Sequence, residues 1–170
     1  MNKRIEKLQK ILQEQQLDWA LYATSGNMQY FLDDDSYAWQ RTAFTGFVIS
    51  DGTGDQVAVP DCVLCIPSQG EPVLLLTPIR NRDMGNITVR KVIGPLAMFT
   101  GMMEATLTGS RFAVGNSCYT YLEDYIHEFN PGATVVRGRT LAESCARSRM
   151  RRKSPLSAGF ASLPTRPWRR

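Results

Sequence analysis

A chain of 170 residues, 43% of them hydrophobic and 21% charged, has room for one domain with a real core and a short tail. Its formal charge of +4 is unevenly spread: Ala146–Arg170 carries 8 of the Lys and Arg and no acid, leaving 12 basic against 16 acidic residues in Met1–Cys145, a net of −4. No basic patch for nucleic acid is visible on that body. No apolar run approaches the roughly 18 residues of a membrane span, and the charged N-terminus lacks a signal-peptide core, so the expected compartment is the cytoplasm, with no membrane partner.

Met1–Gln16 reads as a surface helix, with Ile5, Leu8, Ile11 and Leu12 on one stripe and Lys3, Lys7, Lys10 and Glu14 on the wet side. Trp19–Ala23 is a short apolar run of strand character. Thr24 or Ser25 can then cap a short helix over Asn27–Leu32, since either hydroxyl accepts a free N–H of the first turn. Asp33–Gln40 is a polar and aromatic loop, Phe44–Ser50 a strand, and Asp51-Gly-Thr-Gly-Asp55 a turn. Val63–Pro67 and Val73–Leu76 flank a Gly-containing connection and predict a hairpin. Thr88–Ile93 reads as a strand, Leu96–Leu107 as a helix and Arg111–Val114 as a strand. Tyr119–Phe129 reads as a helix stopped by Asn130-Pro131-Gly132, and Ala133–Val136 as a last strand. Helices alternating with strands predict an α/β domain, a mixed β-sheet flanked by helices.

Little in this pattern points to chemistry. Cys62 and Cys65 form a C-x-x-C, but on a strand the two side chains face opposite ways, so both read as ordinary buried thiols. His127, the one histidine, sits on an amphipathic helix without companion ligands and reads as structural. Asp33-Asp34-Asp35 lacks the alternating spacing of a calcium loop and reads as a solvated acidic loop. Gly115-Asn-Ser117 follows a strand without completing a nucleophile elbow, and Gly52-Thr-Gly54 is a turn rather than a phosphate loop.

The order of short motifs does carry a resemblance. Arg4, Leu8 and Leu12 fit an R-x-x-x-L-x-x-x-L helix, followed by Leu17-Asp18-Trp19-Ala20-Leu21. Ser25-Gly-Asn27-Met-Gln-Tyr30-Phe31-Leu32 fits an N-x-x-Y segment. Gly70-Glu71-Pro72-Val73-Leu74 fits a G-E-P hairpin, and Pro131-Gly-Ala-Thr-Val-Val136 a closing strand. Over residues 1–144 the chain resembles the N-terminal domain of the pita-bread metallopeptidases: Xaa-Pro aminopeptidases, prolidases and creatinase. Thr45-Gly46-Phe47 departs from the pattern, lying further from the N-x-x-Y segment than that family's Thr-Gly-Phe.

The resemblance implies a creatinase/prolidase N-terminal fold of ribonuclease H-like type, with no catalytic residue and no metal ligand of its own. In that family two divalent metal ions are held by two Asp, one His and two Glu of a C-terminal domain, which suits hard cations and water activation. A full-length relative is expected to be a homodimer acting on small Xaa-Pro peptides, or on a creatine-like molecule. The loop after the N-x-x-Y segment reaches toward the cleft in such proteins. Here it carries Tyr37, Trp39 and Arg41, which could contact a small peptide by packing and by carboxylate pairing.

After Ser144 the character changes. Residues 145–170 read as an Arg-rich tail without periodicity, expected to be disordered. Read one base out of register, a codon choice compatible with Cys145–Arg170 spells LRAIKDAEEIAALRRLRVAADQAME, similar to the family's linker helix, and the single-codon residues Met150 and Trp168 both fit. A reading-frame shift near Ser144 is therefore expected. The competing expectation is a genuine tail, making the chain a stand-alone binding module for nucleic acid or another acidic surface.

Overall fold

The computed structural model describes residues 2–23, 25–33, 46–50, 56–60, 62–76, 87–91, 96–115, 119–138, 141 and 144–145. Helix α1 spans Lys3–Glu14, and the Asn2 side chain caps it by accepting from the Arg4 N–H at 2.9 Å. Strand β1 is Trp19–Ala23 and helix α2 is Gly26–Leu32. Of the two hydroxyls suggested as the α2 cap, Ser25 does the work: its Oγ accepts from the Met28 N–H.

Strands β2 (Gly46–Ser50) and β3 (Gln56–Pro60) pair antiparallel as a separate two-stranded sheet. Strands β4 (Cys62–Pro67) and β5 (Val73–Leu76) form the expected hairpin, whose turn places Gly70 at φ +100, a conformation that favours glycine. Strand β6 (Thr88–Lys91), helix α3 (Leu96–Thr106), strand β7 (Arg111–Val114), helix α4 (Tyr119–Phe129) and strand β8 (Thr134–Arg137) follow. Every element expected from the sequence is present within a residue or two at its described ends. β3 is the addition; its run Val57-Ala-Val-Pro60 is short and closed by a proline, which concealed the strand.

The main sheet has six strands in the order β6-β5-β4-β1-β7-β8. Strand β1 pairs antiparallel with β4 and parallel with β7, so the sheet is mixed. Alternation along the central strands then splits the core in two. Ala20, Tyr22, Cys62, Leu64, Ile66, Leu74 and Ala113 face one side, where α1, α2, Leu141 and Cys145 cover them. Trp19, Leu21, Val63, Cys65, Leu75, Phe112 and Val114 face the other, beneath α3 and α4. Burial on both faces explains why β1 and β4 read as unbroken apolar runs rather than as alternating ones.

Cys62 and Cys65 point to opposite cores, as the spacing requires, and both are buried. Burial pushes the Cys65 thiol up to about 12, against a smaller lowering by Arg90. A thiol raised this far stays protonated and unreactive near neutral pH. In the folded chain, iodoacetamide at pH 8.5 should therefore leave Cys65 unmodified, whereas the urea-unfolded chain should be alkylated there; mass spectrometry of the peptide checks this. Leu64 is wholly buried in the first core, so Leu64→Ala should cost about 2–5 kcal/mol in urea unfolding. Lys10→Ala on the exposed side of α1 should stay within about 0.5 kcal/mol.

Candidate functional site

Three contacts converge where α2 ends. The last carbonyls of a helix have no partner within it, and α2 is only 7 residues long. Asp33 closes it in the left-handed conformation (φ 53), donating its N–H to Gln29 O at 3.1 Å. Tyr30 O accepts from Arg4 Nη1 at 2.6 Å, and Phe31 O accepts from Asn2 Nδ2 at 2.7 Å. The N-terminus of α1 thus satisfies the carbonyls that α2 cannot satisfy itself.

Arg4 makes two further contacts. Its Nη1 lies 2.7 Å from Asp33 Oδ1, and its guanidinium sits 4.5 Å from the centroid of the Tyr30 ring. The Asp33 side chain is 63% exposed, so solvent screens the ion pair and its share is about 0–1 kcal/mol. The geometric hold rests more on the carbonyl bond and the stacked ring, which a planar guanidinium can serve at once. Tyr30 in turn packs edge-on to Phe31, with ring centroids 5.2 Å apart. Two residues of separate sequence motifs, Arg4 and Tyr30, are therefore partners in space. Their spacing along the chain gave no sign of it.

A depression of about 430 Å³ beside this junction is lined, among the described residues, by Asn2, Lys3, Arg4, Leu32 and Asp33. It offers positive charge and amide donors, with one carboxylate already engaged by Arg4. Such a surface can hold a backbone in place; among its described lining residues there is no nucleophile with an adjacent base. Tyr37, Trp39 and Arg41, the residues expected to contact a peptide, lie outside the described residues, as do Asp34 and Asp35.

Other candidate groups sit apart from this junction. His127 is half-buried in the last turn of α4, on the opposite side of the sheet. Among the described residues, no group of three or more His, Cys, Asp or Glu could hold a metal ion, and no helix is long and apolar enough to cross a membrane. The Tyr22 hydroxyl is buried with no hydrogen-bond partner among the described residues, and desolvation pushes its pKa well above the usual phenol range. Tyr22 lies in the same core as Cys145, whose thiol is also raised by burial.

A second junction lies at the last described residues. Lys7, one turn along α1 from Arg4, donates through Nζ to Cys145 O and to Ser144 O, the latter at 3.4 Å. Leu141 and Cys145, four residues apart, are both buried against the α1–α2 side of the core. Helix α1 therefore grips both the end of α2 and the end of the described chain.

No protein-family model matches the sequence, and no curated protein matches it. Solved structures do. The chain is similar to a prolidase from Thermococcus sibiricus, with a TM-score of 0.57 and 13% identity, over 84% of this chain but only 35% of that one. It is similar to a proline dipeptidase from Streptococcus pneumoniae, with a TM-score of 0.54 and 17% identity, over 88% of this chain and 98% of the other. It is also similar to the creatinase/prolidase N-terminal domain of an X-Pro dipeptidase from Streptococcus pyogenes, with a TM-score of 0.55 and 11% identity, over 85% and 99% of the two chains. The chain thus spans about a third of the Thermococcus prolidase and nearly the whole of an isolated N-terminal domain. The mixed sheet, its two helical layers and this pattern of coverage together give the chain the creatinase/prolidase N-terminal domain fold.

Proposed function

We propose that this chain is the non-catalytic N-terminal domain of a cytoplasmic Xaa-Pro aminopeptidase- or prolidase-like metallopeptidase. In a full-length form it would contribute to a homodimer and shape substrate access. The observation that carries this reading is the coverage: the fold accounts for nearly all of an isolated creatinase/prolidase N-terminal domain and about a third of a prolidase. The metal-assisted hydrolysis would belong to the remaining part of such a protein, where two divalent ions can activate water.

Within this reading, Tyr37, Trp39 and Arg41 form the substrate-access segment. Support comes from its starting point: Asp33, the first residue of the Asp33–Thr42 loop that carries them, is fastened to α1 by Arg4. An aromatic pair and a guanidinium suit a short peptide with a free carboxylate. Fold alone does not separate peptides from creatine-like substrates. The Xaa-Pro reading follows the similarity to a prolidase and a proline dipeptidase.

Two measurements test the proposal. The purified chain, supplied with a divalent metal such as manganese, should release no proline from an Xaa-Pro dipeptide. Chelator-sensitive release would contradict it. In a two-domain prolidase whose N-terminal domain is replaced by residues 1–144, Trp39→Ala with Arg41→Ala should raise KM about tenfold with little change in kcat, as expected for loss of uniform binding. Unchanged kinetics would remove the substrate-access role while leaving the domain assignment standing.

A further inference from the structure

We propose that β8, the outer strand of the main sheet, pairs antiparallel with β8 of a second copy of this chain, with Val136 at the two-fold axis. Two hydrogen bonds fix which way this strand's backbone faces. Thr134 and Gly138 donate their N–H groups to Ser110 O and Val114 O on the β7 side, and in a parallel pair the residues that donate to the neighbour also accept from it. Thr134, Val136 and Gly138 therefore face β7, and the N–H and C=O of Val135 and Arg137 point away from it. Among the described residues no strand lies beyond β8.

Such an edge is a template for another strand, and sheets guard against it with charged side chains, proline or a bulge. The opposite edge, β6, carries Arg90 and Lys91 side by side. In β8, Thr134-Val135-Val136-Arg137 has three β-branched residues, no proline and a single charge at its end. Val136 is the exposed large hydrophobic side chain among the described residues, at 37%. Covering it takes a neighbour on this edge.

The strand's own sequence fits the partner position. In an antiparallel pair centred on Val136, Val135 and the partner's Arg137 exchange two backbone hydrogen bonds, and Arg137 and the partner's Val135 exchange two more. Val136 meets the partner's Val136 as a non-hydrogen-bonded pair, where side chains approach most closely. Thr134 lies opposite the partner's Gly138, which has no side chain to collide with. The two arginines stand two residues apart along the strands, roughly 7 Å, so like charges are not opposed. Sliding the pair by two residues either opposes the arginines or sets Val136 against Thr134. The pairing rests on the proposed reading in that it supplies a surface for the expected homodimer. It is measured without peptidase activity, so either can fail alone.

In the purified full chain, Val136→Cys should form a covalent dimer under mild oxidation, because this pair brings the two Cβ atoms to about 4.5–5.5 Å, a small adjustment from disulfide geometry. Thr134→Cys, also exposed, should not, since it stands four residues from its own copy, roughly 14 Å. The unsubstituted chain, with its own cysteines, sets the background. Without oxidant, sedimentation velocity should show a dimer that grows with concentration. Val136→Lys, which sets two ammonium groups face to face, should weaken that dimer about tenfold or more and leave the circular dichroism unchanged. Cross-linking at both introduced cysteines, or at neither above background, would overturn the proposal. So would a chain that stays monomeric at every concentration, which would leave this edge to a strand of another protein.

Discussion

One helix holds this domain together by donating side-chain hydrogen bonds to backbone carbonyls of distant segments. Along α1, Asn2 donates to Phe31 O, Arg4 to Tyr30 O, Lys7 to Ser144 O and Cys145 O, Gln9 to Pro67 O and Gly70 O, and Gln13 to Ser68 O. These acceptors come from three distant stretches: the end of α2, the β4–β5 turn and the last described residues. The first two are places where the chain leaves a regular element and its carbonyls need partners. The apolar stripe Ile5, Leu8 and Leu12 seats the helix on the sheet, and its polar side chains then fasten what surrounds it. Gln9 is the clearest case, a polar residue only 6% exposed with both donor bonds directed to the hairpin turn.

The sheet supplies the counterpart. Strand β1 lies between β4 and β7 and contributes side chains to both cores. Its entry is fixed from the far side by Asp18, whose carboxylate accepts from the Ser110 and Arg111 N–H groups, and by Trp19, whose indole donates to Thr108 O at 2.8 Å. A carboxylate packed this closely against Gly109, at φ +97, leaves no room for a side chain there. The outcome is a scaffold with a stiff centre that presents its junctions at one helix. Such an element fixes where neighbouring segments depart.

The sequence disclosed most of this architecture because its signals are local. The 3.6-residue stripe of α1, the unbroken apolar run Cys62–Ile66 and the stop at Asn130-Pro131-Gly132 each arise from a few neighbouring residues. What stayed hidden depends on distance along the chain. Gln9 and Gln13 read as ordinary polar positions of a surface helix, yet both bind a turn more than 50 residues away. Arg4 and Tyr30 were visible as motif members but not as partners. Strand β3 was missed because a short run ending in proline resembles a loop until its pairing with β2 is seen. The aromatic and arginine residues expected to reach a substrate lie outside the described residues, so the physical content of the site rests on the Asp33 junction from which their segment starts.

Native-state hydrogen exchange on the full chain tests the central claim, that α1 is an integral clasp rather than a helix resting on the surface. If α1 is fastened at three junctions, its amides should exchange only through global unfolding, in the same slowest class as those of β1 and β4. Exchange of the Ile5–Leu12 amides as a separate fast unit, while the sheet remains protected, would contradict the account.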